Sequence, residues 1–289
     1  MRAASSARGV FASARMRSRS LLRGVYPGAM QARMPVLFVG HGSPQHAIGD
    51  NPWRSAIQQM GASLPRPRAI VCVSAHWRTE GTWISENATN RTIHDFAGFD
   101  DALYAIRYDT PGDLQLTRTL TALLATFRPR TADDWALDHG AWTALRPMFP
   151  NADVPVLQVS VDCRADAARC FAIGAALRPL RDDGVLLVGS GNVTHNLRDV
   201  FTRMQRRKPQ TPEWATRFDR AVETALRARD ATALAGLWPS EDGTLAHPSP
   251  DHWWPLLYAF GATDERDAIM FPIEGFDLGS LSMRSVRWG

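Results

Sequence analysis

The sequence predicts an α/β fold, a single domain with a central, mostly parallel sheet flanked by helices. Three observations lead there. Four short runs, PVLFVG (35–40), AIVCVSA (69–75), PVLQVSV (155–161) and GVLLVGSG (184–191), are almost continuously apolar, as strands buried on both faces are. Stretches of helical length and composition stand between them, at 51–64, 113–127 and 165–183. Strand alternating with helix requires crossover connections, and crossovers make neighbouring strands parallel.

Taken in order, the first run stops at Gly40 and presents His41 in GHGSP. Glycine-rich turns after strands often cradle phosphate, but neither GxGxxG nor GxxxxGK[ST] occurs here. Ser43 has no GxSxG elbow around it and reads as a helix cap. The second run ends in SAHW with His76, and the fourth in GSGNVTHN with His195. Beyond it lie a helix over 212–230, a helix over 251–263 entered through Pro-Ser-Pro-Asp with His252 in its first turn, and a terminal strand pair around DAIMFPIEG and SLSMRSVRW. QRRKPQTPEW (205–214) is the most loop-like segment. Without repeats or a long linker, residues 34–289 form one domain.

Composition narrows the function. A chain of 289 residues with 45% hydrophobic and 21% charged residues is ordinary for a globular protein. No stretch approaches the roughly 20 apolar residues that span a bilayer, so no membrane association is expected. The three cysteines lack CxxC spacing, which argues against a disulfide framework or zinc ribbon and for a reducing compartment, the cytoplasm. The formal charge of +4 hints at nucleic acid, yet residues 1–33 hold seven arginines and no acid, and without them the body carries −3. No nucleic-acid partner is expected. The extension reads either as a transit peptide or as the product of an upstream start codon, with Met30 or Met34 the working first residue; in both cases it stands outside the fold.

Three of the four apolar runs thus deliver a histidine just past their C-terminal ends, in a chain with eight histidines. Open α/β sheets collect ligands at that edge. A single strand-end histidine usually satisfies local hydrogen bonds; three converging imidazoles at this edge point to a divalent metal. His252 is a fourth candidate, and His139 in ALDHGAW a fifth.

GHGSP, SAHW, DHGAW, GSGNVTHNLR and PSPDHWWPLLY, in this order, resemble the class III extradiol ring-cleaving dioxygenases, the family of the protocatechuate 4,5-dioxygenase β subunit, and most closely its 4,5-DOPA extradiol branch. The resemblance runs from Met34 to the closing IEGFDLGSLSMRSV. It implies His41 and His76 as metal ligands and His252 where protocatechuate-type members carry a glutamate. It implies His195 as the acid/base, which also approaches the metal, and His139 as a second active-site histidine that contacts substrate. The implied ion is Zn²⁺ or Fe²⁺, one per chain, and the implied partners are a catechol and O2, with the protein a monomer or small homo-oligomer. An imidazole base suits the reaction, since its pKa lies near neutrality. A zinc hydrolase or amidase on the same histidines, and a non-catalytic metal-binding protein, are the alternatives. Asp251 as a ligand would point elsewhere on its helix. His94 lines the entrance or bonds Asp95, Asn192 and Asn196 orient His195, Trp77 and Trp142 wall the pocket, and His46 and His247 are solvated loop residues.

Overall fold

The computed structural model describes residues 33–208 and 210–289. Nearly all of the predicted N-terminal extension therefore lies outside the described residues; its last member, Arg33, is held with a guanidinium nitrogen 2.8 Å from Asp264. In chain order the principal elements are β1 (Val36–Gly40), α1 (Pro52–Ala62), β2 (Ala69–Ser74), α2 (Leu114–Leu123), α3 (His139–Met148), β3 (Val156–Gln158), α4 (Ala167–Leu177), β4 (Val185–Gly191), α5 (Leu197–Gln205), α6 (Glu213–Ala228), α7 (Trp254–Gly261), β5 (Ile269–Ile273) and β6 (Ser285–Trp288). Short helices and two- or three-residue strands occupy the connections.

The main sheet runs β5-β6-β1-β4-β2-β3. β1, β4, β2 and β3 are parallel, while β6 pairs antiparallel with both β1 and β5. The expected mostly parallel sheet and terminal strand pair are both present. Register decides where the site lies. Gly40 stands opposite Gly191, and Ser190 opposite both Val39 and Ser74, so β1, β4 and β2 end side by side.

β1, β2 and β4 are buried at every position, which is why their sequences are apolar without alternation. Their side chains still divide by parity. Val36, Phe38, Val71, Val73 and Leu187 face α4, α6 and α7; Leu37, Val39, Ile70, Cys72, Leu186 and Val188 face α1 and α3. Each fully buried aliphatic side chain contributes about 1.5–3 kcal/mol, so these three strands are a firmly packed mount for the residues that follow them.

The run at 155–161 differs from expectation. Only Val156–Gln158 joins the main sheet; Val161–Asp162 pairs with Arg78–Thr79 instead. The switch happens where Ser160 N–H donates to Trp83 O at 2.9 Å, drawing the chain away from β2. Among the described residues no helix is long and apolar enough to cross a membrane.

The helix α7 lies directly on β4. A Cβ at Gly189 would stand 2.3 Å from the Pro255 carbonyl oxygen, backbone that has no rotamer to give. Gly189→Ala is therefore expected to destabilise the protein by about 1–3 kcal/mol, seen as a lower urea midpoint; an unchanged midpoint would show that α7 is not seated this closely.

Candidate active site

Each strand end supplies its histidine through local backbone constraints. His41 follows β1, and its N–H still donates to Gly191 O at 3.0 Å, extending the ladder one residue. Gly42 then turns at φ +64°, where a Cβ would meet His46 and Met283 side-chain atoms within 2.7 Å. His76 follows β2, with its N–H 3.3 Å from Ser74 Oγ. His139 opens α3, whose N-cap is Asp138. His195 follows β4, its N–H bonded to Ala246 O at 2.9 Å. His252 ends the 3-10 turn Pro250–His252, and its carbonyl accepts the Asn192 N–H at 3.1 Å.

These five imidazoles, gathered from five places in the chain, form one cluster. Ring centroids lie 5.2 Å apart for His41 and His76, 5.3 Å for His41 and His252, 4.9 Å for His76 and His252, and 3.8 Å for His76 and His139. His195 stacks on His252 at 3.4 Å, nearly parallel at 4°. Ligating atoms of His41, His76 and His139 lie within 4.8 Å of one another.

The hydrogen bonds assign the bare nitrogen of His41 and of His252. Ser190 Oγ donates to Gly140 O at 2.6 Å, so toward His41 Nδ1, 3.0 Å away, it can only accept. His41 therefore carries its proton on Nδ1 and a lone pair on Nε2. His252 Nδ1 lies 2.8 Å from Asp251 Oδ2 and donates to that carboxylate, leaving Nε2 bare, buried and without a hydrogen-bond partner among the described residues. His76 Nδ1 faces Asp95 Oδ2 at 3.4 Å, and its Nε2 stands 3.3 Å from His41 Nε2. His76 Nε2 lies within hydrogen-bond distance of His41 Nε2, so one ring can donate to the other when no ion is present, and with His252 Nε2 buried beside them three ring nitrogens converge. The donor set thus fits a divalent ion bound by neutral imidazoles.

Electrostatics keep those rings neutral. Burial first, then the neighbouring imidazoles, hold His41 and His252 well below the usual histidine range. Burial lowers His76 to about 3 and His195 to about 4, against partial restoration by Asp95 and Asp251 respectively. For Asp95, burial alone would raise the pKa, but its contacts with His139 and His76 outweigh it and the carboxyl is lowered. Asp138 is raised by burial and by Asp95.

All five predicted site histidines meet here; several neighbours behave otherwise than expected. Asp251, set aside as a ligand, holds His252 from behind, and its other oxygen accepts a hydrogen bond from Ser249. His94 does not bond Asp95; its ring lies among Phe96, Tyr104 and Trp142. Asn192 bonds Ser282 O, and Asn196 caps α5 and bonds Leu245 O, so both brace the backbone around His195. Trp142 is fully buried, its N–H on Ile93 O, and Trp77 stacks on Trp135. Both are core; the aromatic edge against the cluster is Phe96, 5.5 Å from His139 at 89°. His247 is not solvated but buried beneath Phe218 and Trp253, with Nε2 donating to Val193 O at 2.8 Å. His46 is likewise tied, its Nε2 3.0 Å from Asp277. Ser43 caps the short helix Pro44–Ala47, as expected. Asp95 and Asp138 were not singled out in the sequence as site residues; the only signal was their position next to histidines.

Comparison with known proteins shows the family. Residues 35–275 match the family model described as the catalytic LigB subunit of aromatic ring-opening dioxygenase. The chain is 45% identical to a 4,5-DOPA dioxygenase extradiol of Escherichia coli K12, over 89% of this chain and 95% of that one. It is 35% identical to the protein of the same name from Beta vulgaris, over 87% and 95%. A crystal structure of an uncharacterized E. coli K12 protein superposes with a TM-score of 0.76 at 39% identity, covering 89% of this chain and all of the other.

Unfolded histidines take up a proton near pH 6.5, whereas folded His76 and His195 do so only near 3 and 4. Between those limits the unfolded state binds more protons, so stability falls as the pH drops. Metal-free protein is expected to lose about 1 kcal/mol per pH unit for each such imidazole below pH 6.5. Urea unfolding at pH 7.5, 6 and 5 measures this; a flat profile would mean the cluster is not neutral and buried.

Proposed function

The chain belongs to the family of the catalytic LigB subunit of aromatic ring-opening dioxygenases and is an extradiol ring-cleaving dioxygenase, and we propose that it opens the ring of a DOPA-like catechol with O2 at a divalent ion held by His41, His76 and His252. The observation that carries the ligand assignment is the convergence of Nε2 atoms: those of His41 and His76 lie 3.3 Å apart, and buried His252 Nε2 lacks a partner among the described residues. When bound, ferrous iron supplies Lewis acidity toward the catechol oxygens and the redox change that zinc lacks.

The chain's own residues do the rest. His195 is half-buried, neutral at pH 7 and stacked on His252, which holds its ring in place. It takes the proton of a catechol hydroxyl and returns it later in the cycle, a role worth roughly 10²–10⁴ in rate. Its stacking on His252 supports reading it as a neighbour of the proposed ion. His139, with Nδ1 2.9 Å from Asp95 Oδ2, turns its other nitrogen toward the cluster and contacts the substrate. Phe96 gives the ring an aromatic neighbour, edge-on to His139. Three free cysteines suit a reducing compartment, the cytoplasm.

The test is anaerobic loading with Fe²⁺, followed by DOPA and then O2. The expected result is iron-dependent O2 uptake with a yellow semialdehyde product. His195→Ala should keep the metal and lose kcat by roughly 10²–10⁴, while His41→Ala and His76→Ala should lose the metal itself. Iron-loaded protein that consumes no O2 with any catechol, while its zinc form cleaves amides or esters, would replace this reading with a hydrolase.

A further inference from the structure

Asp95 lies in TIHDF, between the short strand Thr89–Asn90 and the helix Asp101–Tyr104. Its carboxylate touches two histidines at once. Oδ1 accepts the backbone N–H of His139 at 2.8 Å. Oδ2 stands 2.9 Å from His139 Nδ1 and 3.4 Å from His76 Nδ1. The side chain is only 19% exposed, and its ion-pair partners among the described residues are these two imidazoles rather than a guanidinium or ammonium group.

We propose that Asp95 is a positioning residue for both halves of the site: it holds the ligand His76 and the substrate-contacting His139 with Nδ1–H toward its carboxylate, so that both Nε2 lone pairs face His41. The inference rests on the metal reading above. An imidazole with no fixed partner divides between two tautomers and turns freely, whereas an acceptor at Nδ1 selects one tautomer and one ring orientation. The bond from the His139 backbone matters because it pins Oδ1 and so keeps Oδ2 beside the two rings. Oδ1 accepts the His139 backbone N–H, and Oδ2 lies within ion-pair distance of both ring Nδ1 atoms, open to their N–H groups. An amide of the same shape cannot do that: whichever way Asn is turned, its NH2 group faces either the His139 backbone N–H or the ring Nδ1–H. Asp95→Asn therefore pushes the rings toward the Nε2–H tautomer, which has no lone pair on the cluster side.

Two measurements test this. In metal-free wild-type protein carrying ¹⁵N-labelled histidine, long-range ¹H–¹⁵N spectra are expected to show His76 and His139 protonated on Nδ1; Nε2–H at either would overturn the proposal, and this arm needs no variant to fold. In a Zn²⁺ titration against a chromophoric chelator, Asp95→Asn with an unchanged near-ultraviolet dichroism spectrum is expected to bind about 10–100-fold more weakly than wild type. Wild-type affinity in that variant would overturn the proposal while leaving the metal reading intact, provided His76→Ala still abolishes binding. Wild-type protein that takes up no Zn²⁺ would sink the metal reading instead, and the tautomer spectra would then decide the role of Asp95 alone.

Discussion

The site depends on how the first turn of α3 is bolted to the ends of the parallel strands. Asp138, fully buried, accepts from Ser74 Oγ of β2 at 2.5 Å, from Gln158 Nε2 of β3 at 2.9 Å and from the Ala141 N–H of its own helix at 2.9 Å. Two residues on, Gly140 O accepts from Ser190 Oγ of β4, which in turn accepts from His41 beyond β1. One helical turn thus touches three adjacent strands and, through Ser190, the histidine of the fourth. A carboxylate buried without a cation is costly, and three donors are what make it tolerable. Gly140 lets the helix sit this close: a Cβ would stand 2.6 Å from Ser74 Oγ and 2.7 Å from His76 Cδ2.

The opposite wall is made differently. Where α3 uses side-chain hydrogen bonds, the segment carrying His252 uses backbone contact against glycine. A Cβ at Gly191 would lie 2.3 Å from the His252 carbonyl oxygen, which already accepts the Asn192 N–H. His41, from the strand beside β4, is therefore flanked by His76 and His139 from one side and by His252 and His195 from the other. The sheet supplies stiffness and the two walls supply aim. Neither wall contributes an arginine or lysine contact to the imidazoles, so nothing cationic competes for their lone pairs among the described contacts.

Much of this was legible because the central strands are buried on both faces, and burial of that kind writes itself into sequence as unbroken apolar runs. His41, His76 and His195 were visible as interruptions at the ends of those runs. His252 and His139 have no such frame, and it took matched motifs to place them. The carboxylates were the hard part. Asp138-His139 and Asp251-His252 look alike as dipeptides, yet Asp251 bonds the imidazole beside it while Asp138 turns away to Ser74 and Gln158. Nothing in spacing separates those outcomes; they depend on the 3-10 turn in one case and the α-helical N-cap in the other. His247 misled for a related reason. It follows the short helix Glu241–Ala246 in a polar-looking stretch, but Phe218, from an earlier helix, and Trp253, further along the chain, close over it.

The same outer carboxylates bear on the proposed ligand His252, which the sequence resemblance sets where protocatechuate-type enzymes carry a glutamate. A carboxylate ligand brings a negative charge into direct contact with the cation; a neutral imidazole does not. Here the charge is moved outward rather than removed. His252 donates to Asp251, and His76 faces Asp95, so two of the three proposed ligands have an anion on their far nitrogen. Each such contact makes the ring a better electron-pair donor and steadies its orientation. Both carboxylates are partly shielded from solvent, at 14% and 19% side-chain exposure, so their field on the cluster is weakly screened. The proposed three-histidine set would present only nitrogen to an ion, with the balancing negative charge held by Asp95 and Asp251 behind the rings.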